Sequence, residues 1–194
     1  TSIGYNAFSG SALEEVVFHD GLQTIGKDAF SGTKLTSVKL PDTVTTIGAG
    51  AFQNCNLLQT VELSAKLEIL GSGAFKNCGT LTSIVIPKSL KKVSSTSSPF
   101  EGCANLSDVT FEAGITQIPA YLFRNCTGFT TITIPTGVTS IGSNAFASTT
   151  LEEITIPATV TTIGYGAFSG ITYLTIKGSA GSVAETFAEE NNYT

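Results

Sequence analysis

One residue type returns along this chain at a nearly constant interval. Phe stands at positions 8, 30, 52, 75, 100, 123, 146 and 168, at steps of 22, 22, 23, 25, 23, 23 and 22 residues. A period in the twenties predicts a solenoid, in which each repeat forms one coil and buries its apolar set only by stacking on its neighbours. An all-β sandwich with a strand every ten residues or so would not place the same residue types at the same point of every unit.

The unit that starts at Leu35 shows the pattern. Counted from Leu35 as place 1, apolar residues fall at places 1, 4, 6, 10, 13, 17 and 18, the last two being Ala51 and Phe52. The preceding unit repeats this with Leu13, Val16, Phe18, Leu22, Ile25, Ala29 and Phe30. The most divergent unit keeps Leu106, Val109, Phe111, Ile115 and Ile118, and puts Leu122 in place of the Ala before Phe123.

Places 4 and 6 alternate with polar residues, the two-residue period of a half-buried strand, and β-branched side chains suit it. Pro41, Pro87, Pro135 and Pro157 follow place 6, where a residue without an N–H ends the strand. Places 10 and 13 predict a second short extended piece, such as Val44 to Ile47. Gly26, Gly48, Gly71, Gly142 and Gly164 come next, at a point where the chain is expected to bend. The Ala-Phe step then predicts a single helical or 3₁₀ turn, too short to stand alone.

The strand LTSVKLP and its continuation through Val44, Ile47, Gly48, Ala51, Phe52 and Cys55 read as Leu-x-x-Val-x-Leu-Pro-x-x-Val-x-x-Ile-Gly-x-x-Ala-Phe-x-x-Cys. With FTTITIPTGVTSIGSNAF and LEEITIPATVTTIGYGAF, this closely resembles the BspA-type (treponemal) leucine-rich repeat, over essentially the whole chain. The resemblance implies a leucine-rich-repeat solenoid. The expected form is a right-handed superhelix of about eight coils with a parallel β-sheet on its concave face. Little helix is expected beyond short turns and a C-terminal cap. It also implies an exported or cell-surface binding and adhesion role of the kind found in bacterial and protist surface proteins. Repeat scaffolds host many unrelated partners, so the ligand does not follow from the fold.

Three stretches depart from the pattern. The fifth repeat, Val93 to Phe100, is two residues longer, which predicts a loop at Ser94 to Ser98 beside Lys88, Lys91 and Lys92. The last strand, read as Ile171 to Ile176 with Leu174 at place 4, follows its Phe two residues early. After Ile176 the repeat dissolves. Ser182 as N-cap with apolar residues at 183, 184, 187 and 188 predicts a short amphipathic helix. Residues 1–176 are therefore assigned to the array and 177–194 to a cap. The opening in mid-repeat at Thr1 predicts a piece of a longer protein with repeats or a cap upstream.

Charged residues make up 13% and the formal net charge is −5, without the basic stripe that nucleic acid demands. No apolar run reaches the roughly 18 residues of a membrane span. The four Cys, at 55, 78, 103 and 126, each follow a repeat Phe by three residues. An even number in an exported chain would suggest disulfides. Equivalent places on stacked coils instead give parallel Cβ vectors, and so a buried ladder of free thiols. A row of Cys is also no tetrahedron for zinc. No cofactor is expected.

Catalytic signals are weak. The one His, His19, stands alone after Phe18, and no Ser has a base at a fixed spacing. Gly48-Ala-Gly50 and Gly71-Ser-Gly73 mimic part of a phosphate loop but recur because every coil must bend. The chain is read as a non-enzymatic module. Its readable surface is the strand face, where places 3 and 5 point outward. The candidate partner-binding residues there are Glu15, Asp108, Thr131, Glu153 and Tyr173 at place 3, and Lys39, Glu62, Thr110, Thr133, Thr155 and Thr175 at place 5. Four Thr are thereby expected to stack on consecutive coils. The expected partner of this monomer is a protein or a glycan, host-derived molecules included. The alternative is a spacer that displays another domain.

Overall fold

The computed structural model describes residues 1–94 and 97–194. Its elements run β1 (Ser2–Ile3), β2 (Thr24–Ile25), β3 (Ser37–Lys39), β4 (Thr46–Ile47), β5 (Thr60–Glu62), β6 (Ile69–Leu70), β7 (Ser83–Ile86) and β8 (Lys92–Val93). They continue with β9 (Asp108–Phe111), β10 (Gln117–Ile118), β11 (Thr131–Thr133), β12 (Ser140–Ile141), β13 (Glu153–Thr155), β14 (Thr162–Ile163), β15 (Thr175–Lys177) and α1 (Val183–Asn191). Every pairing is parallel and joins one coil to the next, giving a β-solenoid of about eight turns. Places 3 to 5 form the strand face. Places 12 and 13 form a second ladder.

The Phe column runs unbroken through all eight coils. Successive rings lie 5.1–5.8 Å apart and nearly parallel. From Phe30 to Phe168 each ring is fully buried, whereas Phe8, in the first coil, is 42% exposed. The turn around each Phe is not helical. Around every Phe but Phe100 the residues two before and two after stand at positive φ, as with Asp28 and Gly32, Gly50 and Asn54, or Asn144 and Ser148; at Phe100 only Gly102 does. Asn and Asp are the non-Gly residues that best tolerate this conformation. The alternation turns every second N–H toward the next coil: Phe30 donates to Ala51 O at 2.7 Å, Phe52 to Ala74 O at 2.7 Å, and Phe146 to Ala167 O at 2.8 Å.

In the lengthened fifth coil this direct bond is replaced by a relay. Ser98, fully buried, accepts from the Phe100 N–H at 3.3 Å and donates to Leu122 O at 2.9 Å. The second ladder breaks at the same coil, into β1-β2-β4-β6-β8 and β10-β12-β14. Of the expected Ser94–Ser98 loop, Ser95 and Thr96 lie outside the described residues.

Gly48, Gly71, Gly142 and Gly164 do not serve the bend by a left-handed backbone, because none has positive φ. They are needed for close approach. A Cβ on Gly71 would overlap the backbone of Gly48 and Ala49 in the preceding coil. Helix α1 forms as expected, with the Ser182 hydroxyl accepting from Glu185 N–H and Ala184 and Ala188 buried. Phe187 closes the Phe column edge-on to Phe168 at 5.7 Å. Past the helix, Thr194 pairs alongside β15, its N–H donating to Leu174 O and its carbonyl accepting from Ile176 N–H at 2.7 Å.

Candidate functional site on the strand face

The strand face is not one sheet. It divides into β3-β5, β7-β9 and β11-β13-β15, and residues 11–19 of the first coil form no strand. Where the sheet parts, grooves open. Between β9 and β11 a recess of about 350 Å³ is lined by Asp108, Thr110, Thr131 and Thr133, bringing four of the candidate residues together. Between β5 and β7 a smaller one of about 310 Å³ is lined mainly by Val61, Leu63, Val85 and Pro87, with Glu62 and Glu112 at its margin. Glu15, Lys39, Glu153 and Thr155 line neither.

The last coil corrects the expected columns. Glu153 pairs with Thr175, Ile154 with Ile176 and Thr155 with Lys177. Thr175 therefore occupies place 3 rather than place 5, and Tyr173 falls at place 1, five residues after Phe168 as in the coil before. The strand is in register; the sequence pattern misled because Leu174, at place 2, turns inward and is buried. The column of four Thr reduces to Thr133 beside Thr155, with Lys177 next to them and Thr110 across the β9–β11 break.

The charges on this face are used between coils. Lys39 and Glu62 are ladder partners and form a 2.7 Å ion pair, and Lys177 meets Glu153 at 2.6 Å. The hydrogen bond from Lys39 to Glu62, and then their attraction, raise the lysine pKa. Exposed pairs of this kind contribute little to stability and leave little free charge to offer a partner. Val17 and Val85 stand 77% and 56% exposed on the same face. His19 is exposed, and among the described residues no group of acidic, His and Cys side chains is arranged to hold a metal.

The four cysteines are free and buried in one column. The chain pattern did not show what each thiol does: it donates to the carbonyl of the Phe one coil back, at 3.1–3.3 Å. Thr33 precedes Cys55 in the column, its hydroxyl 3.3 Å from Cys55 Sγ, and Thr149 continues it beyond Cys126. Burial pushes the Cys103 thiol up to about 12 and raises Cys126 further. In the adjoining pair, the hydrogen bond from Cys78 lowers Cys55, and the same contact with burial raises Cys78.

Parallel coils with a Leu-x-x-Val/Ile-x-Leu/Ile strand on one face define a leucine-rich-repeat solenoid. The chain belongs to the BspA type leucine rich repeat region family, which matches it over residues 1–97 and 58–175. A leucine-rich repeat protein from Bacteroides ovatus is 30% identical with a TM-score of 0.72, covering 91% of this chain and 47% of that one. A leucine rich cell surface protein from Faecalibacterium prausnitzii is also 30% identical, with a TM-score of 0.58, covering 97% of this chain and 59% of that one. The leucine rich repeat protein of T. pallidum is 28% identical with a TM-score of 0.63, covering 84% and 77%. The chain thus spans about half the length of the first two. No curated protein matches it. No helix among the described residues is long and apolar enough to cross a membrane.

Proposed function

We propose that this array is an extracellular or cell-surface binding module, non-enzymatic, that engages a protein or glycan through its strand face. The observation that carries the reading is the groove between β9 and β11, where Asp108, Thr110, Thr131 and Thr133 present hydroxyls and one carboxylate around a concavity. Hydroxyls and a carboxylate on a rigid scaffold suit recognition by hydrogen bonds, and no residue lining the groove is a nucleophile paired with a base. The cell-surface description of the F. prausnitzii relative supports the location.

The test places Arg at Thr110 and Thr133 in the surface-displayed array and measures retention on cultured host cells and immobilised host glycans. Retention is expected to fall at least tenfold with the unfolding midpoint unchanged. Unchanged retention removes the groove from the reading. The spacer alternative is favoured by one feature, the mutual neutralisation of Lys39 with Glu62 and of Lys177 with Glu153. Replacing the array by an inert repeat of equal length separates the two, since a spacer tolerates the exchange and a binding module does not.

A further inference from the structure

The third concavity of the strand side lies at the C-terminal end of the array and breaks the repeat in an informative way. Place 1 is an interior position: Leu35, Leu58, Leu81 and Leu106 are fully buried there, and Leu151 is 1% exposed. In the last coil place 1 is Tyr173, and it is 85% exposed. Leu174 has taken the interior position, which leaves the Tyr ring on the surface with no packing role. The ring borders a recess of about 830 Å³, within the range of small-ligand clefts.

The Cys-bearing coils carry six residues from Phe to place 1, as from Phe52 to Leu58, whereas the two coils here carry five, Phe146 to Leu151 and Phe168 to Tyr173, as do the first two, Phe8 to Leu13 and Phe30 to Leu35. Glu152, Thr172 and Asn192 line the recess beside Tyr173, all exposed, and none of their side chains makes a hydrogen bond or ion pair among the described residues. No Lys, Arg or His lines it.

We infer that this recess is a saccharide subsite that seats one neutral pyranose unit on the face of Tyr173. The inference rests on the reading of the array as a binding module, and names a second site and its ligand class. A pyranose has an apolar C–H face that gains dispersion contact with an aromatic ring, and a rim of hydroxyls. The Glu152 carboxylate accepts from two such hydroxyls, and the Asn192 amide both donates and accepts. Without a cation in its lining, the recess disfavours anionic sugars. The Glu152 carboxylate beside the Tyr173 ring makes an ammonium ligand the main competitor.

The experiment screens the purified chain on an array of neutral and sialylated oligosaccharides. The best neutral hit is then titrated, following the Tyr173 ring signals by NMR, with tetramethylammonium chloride titrated in parallel. The expected result is a neutral hit whose affinity falls about tenfold in Tyr173→Ala, a change of about 1.4 kcal/mol, and survives in Tyr173→Phe, which keeps the ring. Glu152→Gln should weaken binding less than Tyr173→Ala. Because Tyr173 is exposed, all three variants should unfold at the wild-type midpoint. Thr133→Arg should leave this titration unchanged, so failure of the β9–β11 groove and failure of the recess give different results. No neutral hit, a preference for sialylated sugars, tighter binding of tetramethylammonium, or equal affinity in Tyr173→Ala would each overturn the assignment.

Discussion

The Phe turns and the strand face are built from the same coils, yet they cohere differently. Along the turns the stack runs from Phe8 to Phe168 without a gap, and backbone bonds such as Phe52 N–H to Ala74 O tie coil to coil. Even the lengthened fifth coil keeps the connection, through the Ser98 hydroxyl. The strand face, nominally the signature of the fold, parts between β5 and β7 and again between β9 and β11. Cohesion in this solenoid therefore resides in the buried ring column and the turns that hold it. The sheet is left free to open into grooves. On the proposed reading, recognition would fall on the strand face and stability on the Phe turns.

Truncating the spine gives the sharpest test of that division. Phe75→Ala removes a fully buried ring between two stacked neighbours and should cost about 3–5 kcal/mol by denaturant unfolding. A cost near that of a surface substitution would break the comparison. The next effect tests close approach: Gly71→Ala should cost roughly 1–3 kcal/mol by overpacking. Gly79→Ala, where a Cβ meets nothing within 4 Å, should change stability by less than about 0.5 kcal/mol. Equal losses at the two glycines would mean that the coils can separate at no cost.

The thiol column should give a smaller effect with a pH signature. Cys103→Ala should cost roughly 1–2 kcal/mol, and Cys103→Thr less, because Thr33 and Thr149 already fill equivalent places. The Cys103 pKa is raised from 9.0 to about 12 in the folded chain. Between those values the unfolded thiol has lost its proton and the folded one has not, so stability must fall as pH rises through that window. Cys103→Thr should flatten the slope in a pH series of unfolding curves, and thiol counting should find the native Cys103 slow to label. A slope unchanged by the substitution would assign the loss to other groups. Smallest of all, Thr155→Arg on the outward face should shift stability by no more than about 0.5 kcal/mol, with the midpoint read by circular dichroism. A larger loss would mean that the face contributes to cohesion after all.

Much of this was legible in the chain because a repeat states the same constraint many times. Apolar residues at places 4 and 13 marked the two ladders, the Phe period marked the spine, and a Cys three residues after four consecutive Phe residues marked a column of free thiols. Other features had a signal that was read for the wrong reason. Asn or Gly two residues either side of most Phe residues announces a left-handed turn rather than a helical one. Gly after place 13 announces contact between coils rather than a bend. The columns of candidate residues survived only in part. Leu174 and Ile176 both fit place 4, and the choice between them was made by burial and pairing that no local pattern contains.

By itself the sequence determined the period, the parallel stacking, the content of the buried columns and the helix that closes them. Each follows from side-chain size and backbone chemistry repeated at fixed spacing. Only the tertiary structure decided where the strand face parts and which outward residues meet around a groove. It also decided that Tyr173 points out while Leu174 points in. Those outcomes depend on small differences in coil separation and on one residue more or fewer between Phe and strand, summed over neighbouring coils that are more than twenty residues apart in the chain.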